Sequence, residues 1–327
     1  MRVPDLVLDS ELVAIITEEW TKHIVDEPGS IPSRRRAQLE QQWKRKRHLG
    51  RGAYGNVWLE ECISGFRDVA LRAVKQIRKT GEDSKQIVYH RELEAIMKFS
   101  NPRYSHCFVR SYGWYQCSDY VYITMEYLGL GDLSKHIKAP IQEVHASQIT
   151  SQVLEGLSFM HKNGFSHRDL KPNNILVVSK APDKWWVKIS DFGISKREDE
   201  GLNMSSTLKG TLGFLAPELL FQNRQRTAID DKAADMWALG ETTVLILTRK
   251  PTFQPPGALF AYCTNQVGFP TQFLRSHQLS DEACDFIQGL MKVRPEERLT
   301  AKLGLEHAWM KIQYTPGLQP STSERQL

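Results

Sequence analysis

The apolar pattern of this chain changes character near residue 131, and that change limits the folds open to it. Before it, strand signals dominate. Residues 44–59 turn at glycines, and 68–77, 107–115 and 120–127 read as strands, with one helix over 85–99. After it, apolar residues recur at helical spacing, most clearly over 146–163, 231–248 and 281–292. Strands and helices segregated along a chain form separate layers, so the pattern predicts an α+β, bilobal protein. Its first lobe is β-rich, its second mainly α-helical, and the cleft between them is the natural ligand site.

Two segments flank this body. Residues 1–42 are expected to form an extension: a short amphipathic helix over 5–25, then a break, then a basic linker. The helix reading rests on Leu8, Leu12, Ile15, Ile16 and Ile24, with acidic residues between them. Pro28, Gly29 and Pro32 supply the break. Residues 311–327 are polar, carry Pro316 and Pro320, and read as a disordered tail.

Charge and cysteine usage exclude several classes. The net charge of +5 is modest and its cations are dispersed, which argues against nucleic acid as a partner. Asp5, Asp9, Glu11, Glu18 and Glu19 interrupt any secretory leader. No apolar run reaches the roughly 18 residues that a membrane-spanning helix needs. The five cysteines lack CxxC spacing and read as reduced thiols, so the expected location is cytoplasmic, nuclear or both.

Four motifs carry chemistry. Gly50-Arg51-Gly52-Ala53-Tyr54-Gly55 precedes Val57, Trp58 and Leu59, a strand and not a helix. That favours a hairpin lid whose amides approach phosphate over a dinucleotide fold. Ala73-Val74-Lys75 ends an apolar strand, and Glu92 follows 17 residues later on the predicted helix, where a carboxylate can orient the lysine. In His167-Arg168-Asp169-Leu170-Lys171-Pro172-Asn173-Asn174, Asp169 can accept a hydroxyl proton. Lys171 can neutralise a moving anionic group, and Asn174 can offer an amide oxygen to a metal. Asp191-Phe192-Gly193 lies 22 residues after Asp169 and supplies a hard carboxylate ligand.

In this order the four motifs resemble the signature of the eukaryotic protein kinase family. Ala216-Pro217-Glu218, Asp235-Met236-Trp237-Ala238-Leu239-Gly240 and Arg298 extend the resemblance, which covers residues 43–310. It implies an N-lobe over 43–128, a C-lobe over 129–310, and transfer of the γ-phosphoryl of ATP, with Mg²⁺, to protein hydroxyls. Leu49, Gly50, Gly52, Gly55, Val57, Ala73, Lys75, Glu92, Met125, Glu126, Leu128 and Asp132 would surround the nucleotide. Met125 would sit at the back of the adenine pocket and Asp132 at the ribose. Asn174 and Asp191 would hold the metal, and Asp169 and Lys171 would act on the transferred group.

Lys171 with Gly210-Thr211 is the serine/threonine pattern, and Leu305 to Met310 resembles the end of calcium/calmodulin-dependent and checkpoint-type kinases. The tail lacks the basic amphipathic helix of a calmodulin target. The resemblance further implies protein substrates and an upstream activating kinase acting at Thr207, whose phosphate Arg168 would receive. Leu208, Leu212 and Leu215 would line a pocket for the residue after the phosphosite. Arg34-Arg35-Arg36 and Lys44 to Arg47 could form a nuclear address, but the latter fall where the first lobe strand is expected. The acidic polar face of the 5–25 helix suits packing on protein and not on a membrane.

Overall fold

The computed structural model describes residues 5–26, 38–52, 55–65, 69–79, 93–182, 184–192, 196–197, 211–221, 230–255 and 257–311. The N-terminal half is built on one antiparallel sheet of order β1-β2-β3-β4-β5-β7-β6. Its strands are β1 (Ala14–Ile16), β2 (Trp20–Asp26), β3 (Gln38–Gly52), β4 (Gly55–Ser64), β5 (Leu71–Arg78), β6 (Ser111–Gln116) and β7 (Tyr120–Glu126). Helix α1 (Asp5–Leu8) precedes the sheet. Helix α2, described over 93–99, packs its buried Leu93, Ile96 and Phe99 into the main core.

The expected helix over 5–25 does not form; only α1 is helical there. Two strands replace the rest. β2 pairs with β3 from Trp20↔Lys44 to Asp26↔Gln38, and β1 pairs with β2. Burial in β2 follows a period of two, with Thr21 and His23 buried and Lys22 and Ile24 half-buried. The β-branched residues here (Ile15, Ile16, Thr21, Ile24) suit a pleated surface, and tertiary pairing overrides an apolar spacing that also fits a helix. Glu18 and Glu19 fall in the turn between the strands. Lys44 to Arg47 lie within β3, while Arg34 to Arg36 and the tail after Lys311 lie outside the described residues.

The C-terminal half is mainly helical, as expected. Its helices are α3 (Glu143–Lys162), α4 (Pro217–Leu220), α5 (Asp231–Thr248), α6 (Ala258–Cys263), α7 (Thr271–Ser276), α8 (Asp281–Leu290) and α9 (Ala301–Glu306). Short strands β8 (Phe165–Ser166), β9 (Ile175–Ser179), β10 (Trp186–Ile189) and β11 (Lys196–Arg197) lie between α3 and α4. Helix α5 is buried along nearly its whole length. Asp230 caps it, accepting from Lys232 N and Ala233 N at 3.0 and 3.1 Å, which satisfies amides that lack intrahelical partners.

Arg298 ties α4 and α5 to the chain that follows α8. It donates to both carboxylate oxygens of Glu218 at 2.7 and 2.6 Å. It also donates to the carbonyls of Ala233, Lys292 and Val293 at 2.9, 2.8 and 3.2 Å. The planar guanidinium thus reaches three carbonyls and one carboxylate at once, a geometry that a lysine could not reproduce.

Glu241 is a buried carboxyl within α5, and it accepts from Thr252 N at 2.9 Å. Burial outweighs that hydrogen bond and lifts its pKa from 4.5 to about 7. Between those values the unfolded chain gives up the proton more readily than the folded one, so this group's contribution to stability falls as pH rises from about 4.5 to about 7. Glu241→Gln should remove that dependence. Denaturant titrations of both proteins across this range should show the variant gaining on the parent by up to about 3 kcal/mol as pH rises. A pH-independent difference would contradict the buried, protonated carboxyl.

Candidate active site

Asp235 builds the catalytic loop. Its carboxylate is buried on α5 and accepts from His167 N at 2.8 Å and Arg168 N at 2.7 Å. His161 Nε2 lies 2.9 Å from the same group. These bonds hold Arg168 at φ 69°, a left-handed conformation that costs energy at a non-glycine residue. His167 Nδ1 accepts from Asp169 N at 3.3 Å, which leaves Nε2 to donate to Ser190 O at 3.0 Å. The loop is thereby tied forward to the residue between β10 and Asp191.

Asp169, Lys171 and Asn174 converge. Lys171 Nζ is 2.6 Å from Asp169 Oδ2, and Asn174 Nδ2 donates to Asp169 O at 2.7 Å and to Oδ2 at 3.1 Å. With its amide nitrogen so engaged, Asn174 presents its oxygen as an acceptor. Thr211, to which no site role was assigned from sequence, joins them. Its hydroxyl donates to Asp169 Oδ1 at 3.0 Å and accepts from Lys171 Nζ at 2.6 Å, and Thr211 N donates to Asp169 Oδ1 at 3.1 Å. The contact spans 42 residues, which no local pattern could reveal.

On the other side of the cleft, Lys75 on β5 lies 2.7 Å from Asp191 Oδ1, and the lysine is buried. Asp191 also takes a left-handed φ of 61°. Phe192 turns inward, 1% exposed, and stacks near Phe99 of α2 at 5.9 Å, so the segment carrying Asp191 and α2 share one packed unit. Glu92, the expected partner of Lys75, lies outside the described residues, as do Ala53 and Tyr54.

The other residues that the sequence assigned to the nucleotide fall around the same cleft. Leu49, Gly50 and Gly52 end β3, and Gly55 and Val57 begin β4 across the hairpin. A Cβ at Gly55 would stand 1.9 Å from Gln76 O, so only glycine allows this approach. Val57 pairs with Lys75, and Ala73 pairs with Met125, which is half-buried against the main core. Leu128 follows β7. Glu126 turns its carboxylate to Arg110 N at 2.8 Å and Lys188 Nζ at 2.6 Å, bracing the lobe linker against β10. Any nucleotide contact of Glu126 therefore falls to its backbone. Asp132 pairs with Lys135 at 2.7 Å and accepts from Ser134. Burial raises the Asp132 pKa, but the Lys135 and Ser134 hydrogen bonds outweigh it and hold the group below the usual range.

Arg168 is engaged through its Nε, 3.2 Å from Asp231 Oδ1, while Thr207 lies outside the described residues. One expectation is corrected. Leu212 and Leu215 do not line one pocket. Leu212 is 72% exposed and Leu215 is 5% exposed within the main core, while Leu208 lies outside the described residues. Leu212 opens the short turn over Leu212–Phe214 and Leu215 leaves it in extended backbone, a change of direction that sequence spacing alone did not reveal.

A bilobal fold with a glycine hairpin, a strand lysine paired to an aspartate, and a second aspartate held among lysine, asparagine and threonine defines a phosphotransferase of the protein kinase class. The protein kinase domain family matches residues 43–310, and the chain belongs to that family. It is 36% identical over 267 residues to calcium/calmodulin-dependent protein kinase type 1 of Caenorhabditis briggsae, covering 80% of this chain and 70% of that one. It is 34% identical over 277 residues to the serine/threonine-protein kinase RAD53 of Saccharomyces cerevisiae, covering 81% of this chain but 32% of the relative. Among solved structures, Rad53 1–466 in complex with AMP-PNP matches with a TM-score of 0.64 at 30% identity, covering 82% of this chain and 65% of that one. The chain is accordingly an ATP-dependent serine/threonine protein kinase.

Thr211 yields the first test of this geometry. Thr211→Ala should lower kcat roughly 10- to 100-fold, the effect of losing hydrogen bonds to two charged groups. The KM for ATP should hold, and Thr211→Ser should recover most of the rate. Steady-state kinetics on all three proteins would decide it.

Proposed function

We propose that the chain phosphorylates serine and threonine hydroxyls of intracellular signalling proteins, with Mg-ATP as donor. The observation that carries this reading is the Asp169 carboxylate held by Lys171, Asn174 and Thr211, in a cleft whose other wall carries the Lys75–Asp191 pair. Asp191 and Asn174 offer a carboxylate and an amide oxygen, the hard donors that Mg²⁺ takes. When bound, the ion would neutralise phosphate charge. Asp169 orients the substrate hydroxyl and takes its proton, and Lys171 balances charge on the phosphoryl group in transit. Lys75 holds the non-transferred phosphates. Asp169→Ala should abolish incorporation of labelled phosphate into a protein substrate while ATP binding stays near that of the parent. Asp191→Ala should lose both. Near-parental turnover by Asp169→Ala would remove it from the role of base.

The acceptor site favours a modest demand for upstream arginine. Asn173 stands where basophilic relatives place a glutamate, and its amide donates to Ser134 at 3.1 Å. Leu245 occupies the corresponding position on α5. Asp132 is already paired with Lys135. Exposed Leu212 remains available to an apolar residue just after the phosphosite. A positional peptide library should return less than about tenfold selection for arginine three residues upstream, since each exposed charge pair contributes about 1 kcal/mol or less. It should also favour bulky apolar residues immediately downstream. Strong upstream selection with downstream indifference would contradict this reading.

Phosphorylation of Thr207 by another kinase is proposed to raise activity, with Arg168 as the cation nearest the catalytic base in sequence. Because Arg168 pairs with Asp231, the phosphate must compete with that carboxylate. Asp231→Asn should therefore increase the activation obtained from Thr207 phosphorylation. Thr207→Ala should abolish the activation, as read by mass spectrometry and matched kinetics.

A further inference from the structure

The N-terminal strands lie outside the 43–310 family match, yet their side chains touch the strand that carries Lys75. Successive side chains of a strand point to opposite faces. On β5, Lys75 reaches Asp191 in the cleft, whereas Arg72 and Val74 turn to the outer face. That outer face is covered. Val74, Tyr115 and Tyr122 form a small second core, and Leu12, Ala14 and Ile16 of the N-terminal segment pack against it. Val74 is 0% exposed and Tyr115 is 1% exposed, so the cover excludes water.

A buried polar cluster lies beside this core. Arg72 donates through Nε and Nη2 to Glu60 Oε2 at 3.0 and 2.8 Å, and it stacks over Trp43 at 4.1 Å. Its Nη2 also lies 3.1 Å from His23 Nε2. His23 Nδ1 lies 3.2 Å from Val13 O, so Nδ1 carries the proton and Nε2 accepts from Arg72. Burial and the Arg72 charge lower the His23 pKa to about 4, and the ring stays neutral in that role. A buried guanidinium that lost this acceptor would be left under-satisfied, at a cost well above that of an exposed one.

The segment also grips β6 and the core that contains α2. Leu12 N donates to Trp114 O at 2.7 Å, Trp114 N donates to Ser10 O at 3.2 Å, and Trp114 Nε1 donates to Val7 O at 2.8 Å. Gly113 has φ +114°, and a Cβ there would stand 2.8 Å from Ser10 O, so the approach requires glycine. Val7 is 0% exposed, in the same core cluster as Leu93 and Ile96 of α2.

We propose that residues 5–26 are a positioning layer of the active site, and that His23 and Leu12 hold β5 and β6 so that Lys75 meets the nucleotide phosphates. The proposal rests on the kinase reading above. It assigns the segment to ATP engagement and leaves the acceptor hydroxyl to Asp169.

The test uses the full chain. His23→Lys sets a second cation against Arg72, and Leu12→Asp sets a carboxylate against the second core. Each should raise the KM for ATP roughly 3- to 30-fold, the span expected for coupling through a packed network. The KM for a peptide acceptor should hold, and so should kcat at saturating ATP. Circular dichroism at the assay temperature checks that the protein is folded. Leu303→Ser, on an exposed side chain of α9, should leave all three constants unchanged. If His23→Lys or Leu12→Asp does not fold, His23→Gln and Leu12→Ala make smaller changes at the same positions, and Leu12→Ala should still raise the KM for ATP by about twofold. A lower Tm with an unchanged KM for ATP in the folded variants would overturn the proposal and reduce the layer to a stabiliser. Absence of ATP-dependent phosphate transfer in the unsubstituted chain would overturn the kinase reading instead.

Discussion

The catalytic geometry depends on one buried carboxylate. Asp235 has no contact with the reacting groups, yet it accepts the amides of His167 and Arg168 and thereby sets the backbone from which Asp169 projects. Those two bonds offset the left-handed turn at Arg168, a conformation the residue would not adopt unaided. Everything downstream follows from that placement: His167 ties to Ser190 O, Ser190 precedes Asp191, and Asp191 reaches across to Lys75. A single side chain on a deeply buried helix therefore sets the relation between Asp169 and Asp191. The helix can bear a charged residue there because both oxygens are fully occupied by donors.

The order and chemistry of the site were legible because phosphoryl transfer tolerates few residue types. A proton acceptor, two hard oxygens and two lysines at set spacings along Lys75, Asp169, Lys171, Asn174 and Asp191 leave little room for another reading. What the sequence hid were the contacts that join distant segments. Thr211 touches Asp169 across 42 residues of sequence. Arg168 had a partner in Asp231 that lies 63 positions away. Asp235 was visible as part of a motif, but its purpose became clear only from the amides it accepts.

The fold was legible in its two halves and obscure at its start. Leu8, Leu12, Ile15 and Ile16 satisfy a helical spacing by coincidence, and the short stretch carries too few apolar residues for alternation to stand out. The deciding partners are far along the chain: β3 for β2, and Trp114 for the segment around Glu11. Local propensity could not weigh those contacts. The leucines near Thr211 failed for the opposite reason. Their types were right for a pocket, but a tight turn aims Leu212 outward and Leu215 into the core.

The parallel bridge between Glu11 and Trp114 has a consequence for solution behaviour. β1 and β6 end the seven-strand order, and the chain just before β1 bonds to β6. The sheet thus bends round toward a barrel, with its two margins joined over this stretch. An open sheet offers rows of unpaired amides and carbonyls on which a second molecule can add a strand. Closing the seam withdraws that template at Trp114. The lobe gains protection from edge-to-edge association at the place where a flat kinase sheet would otherwise present it.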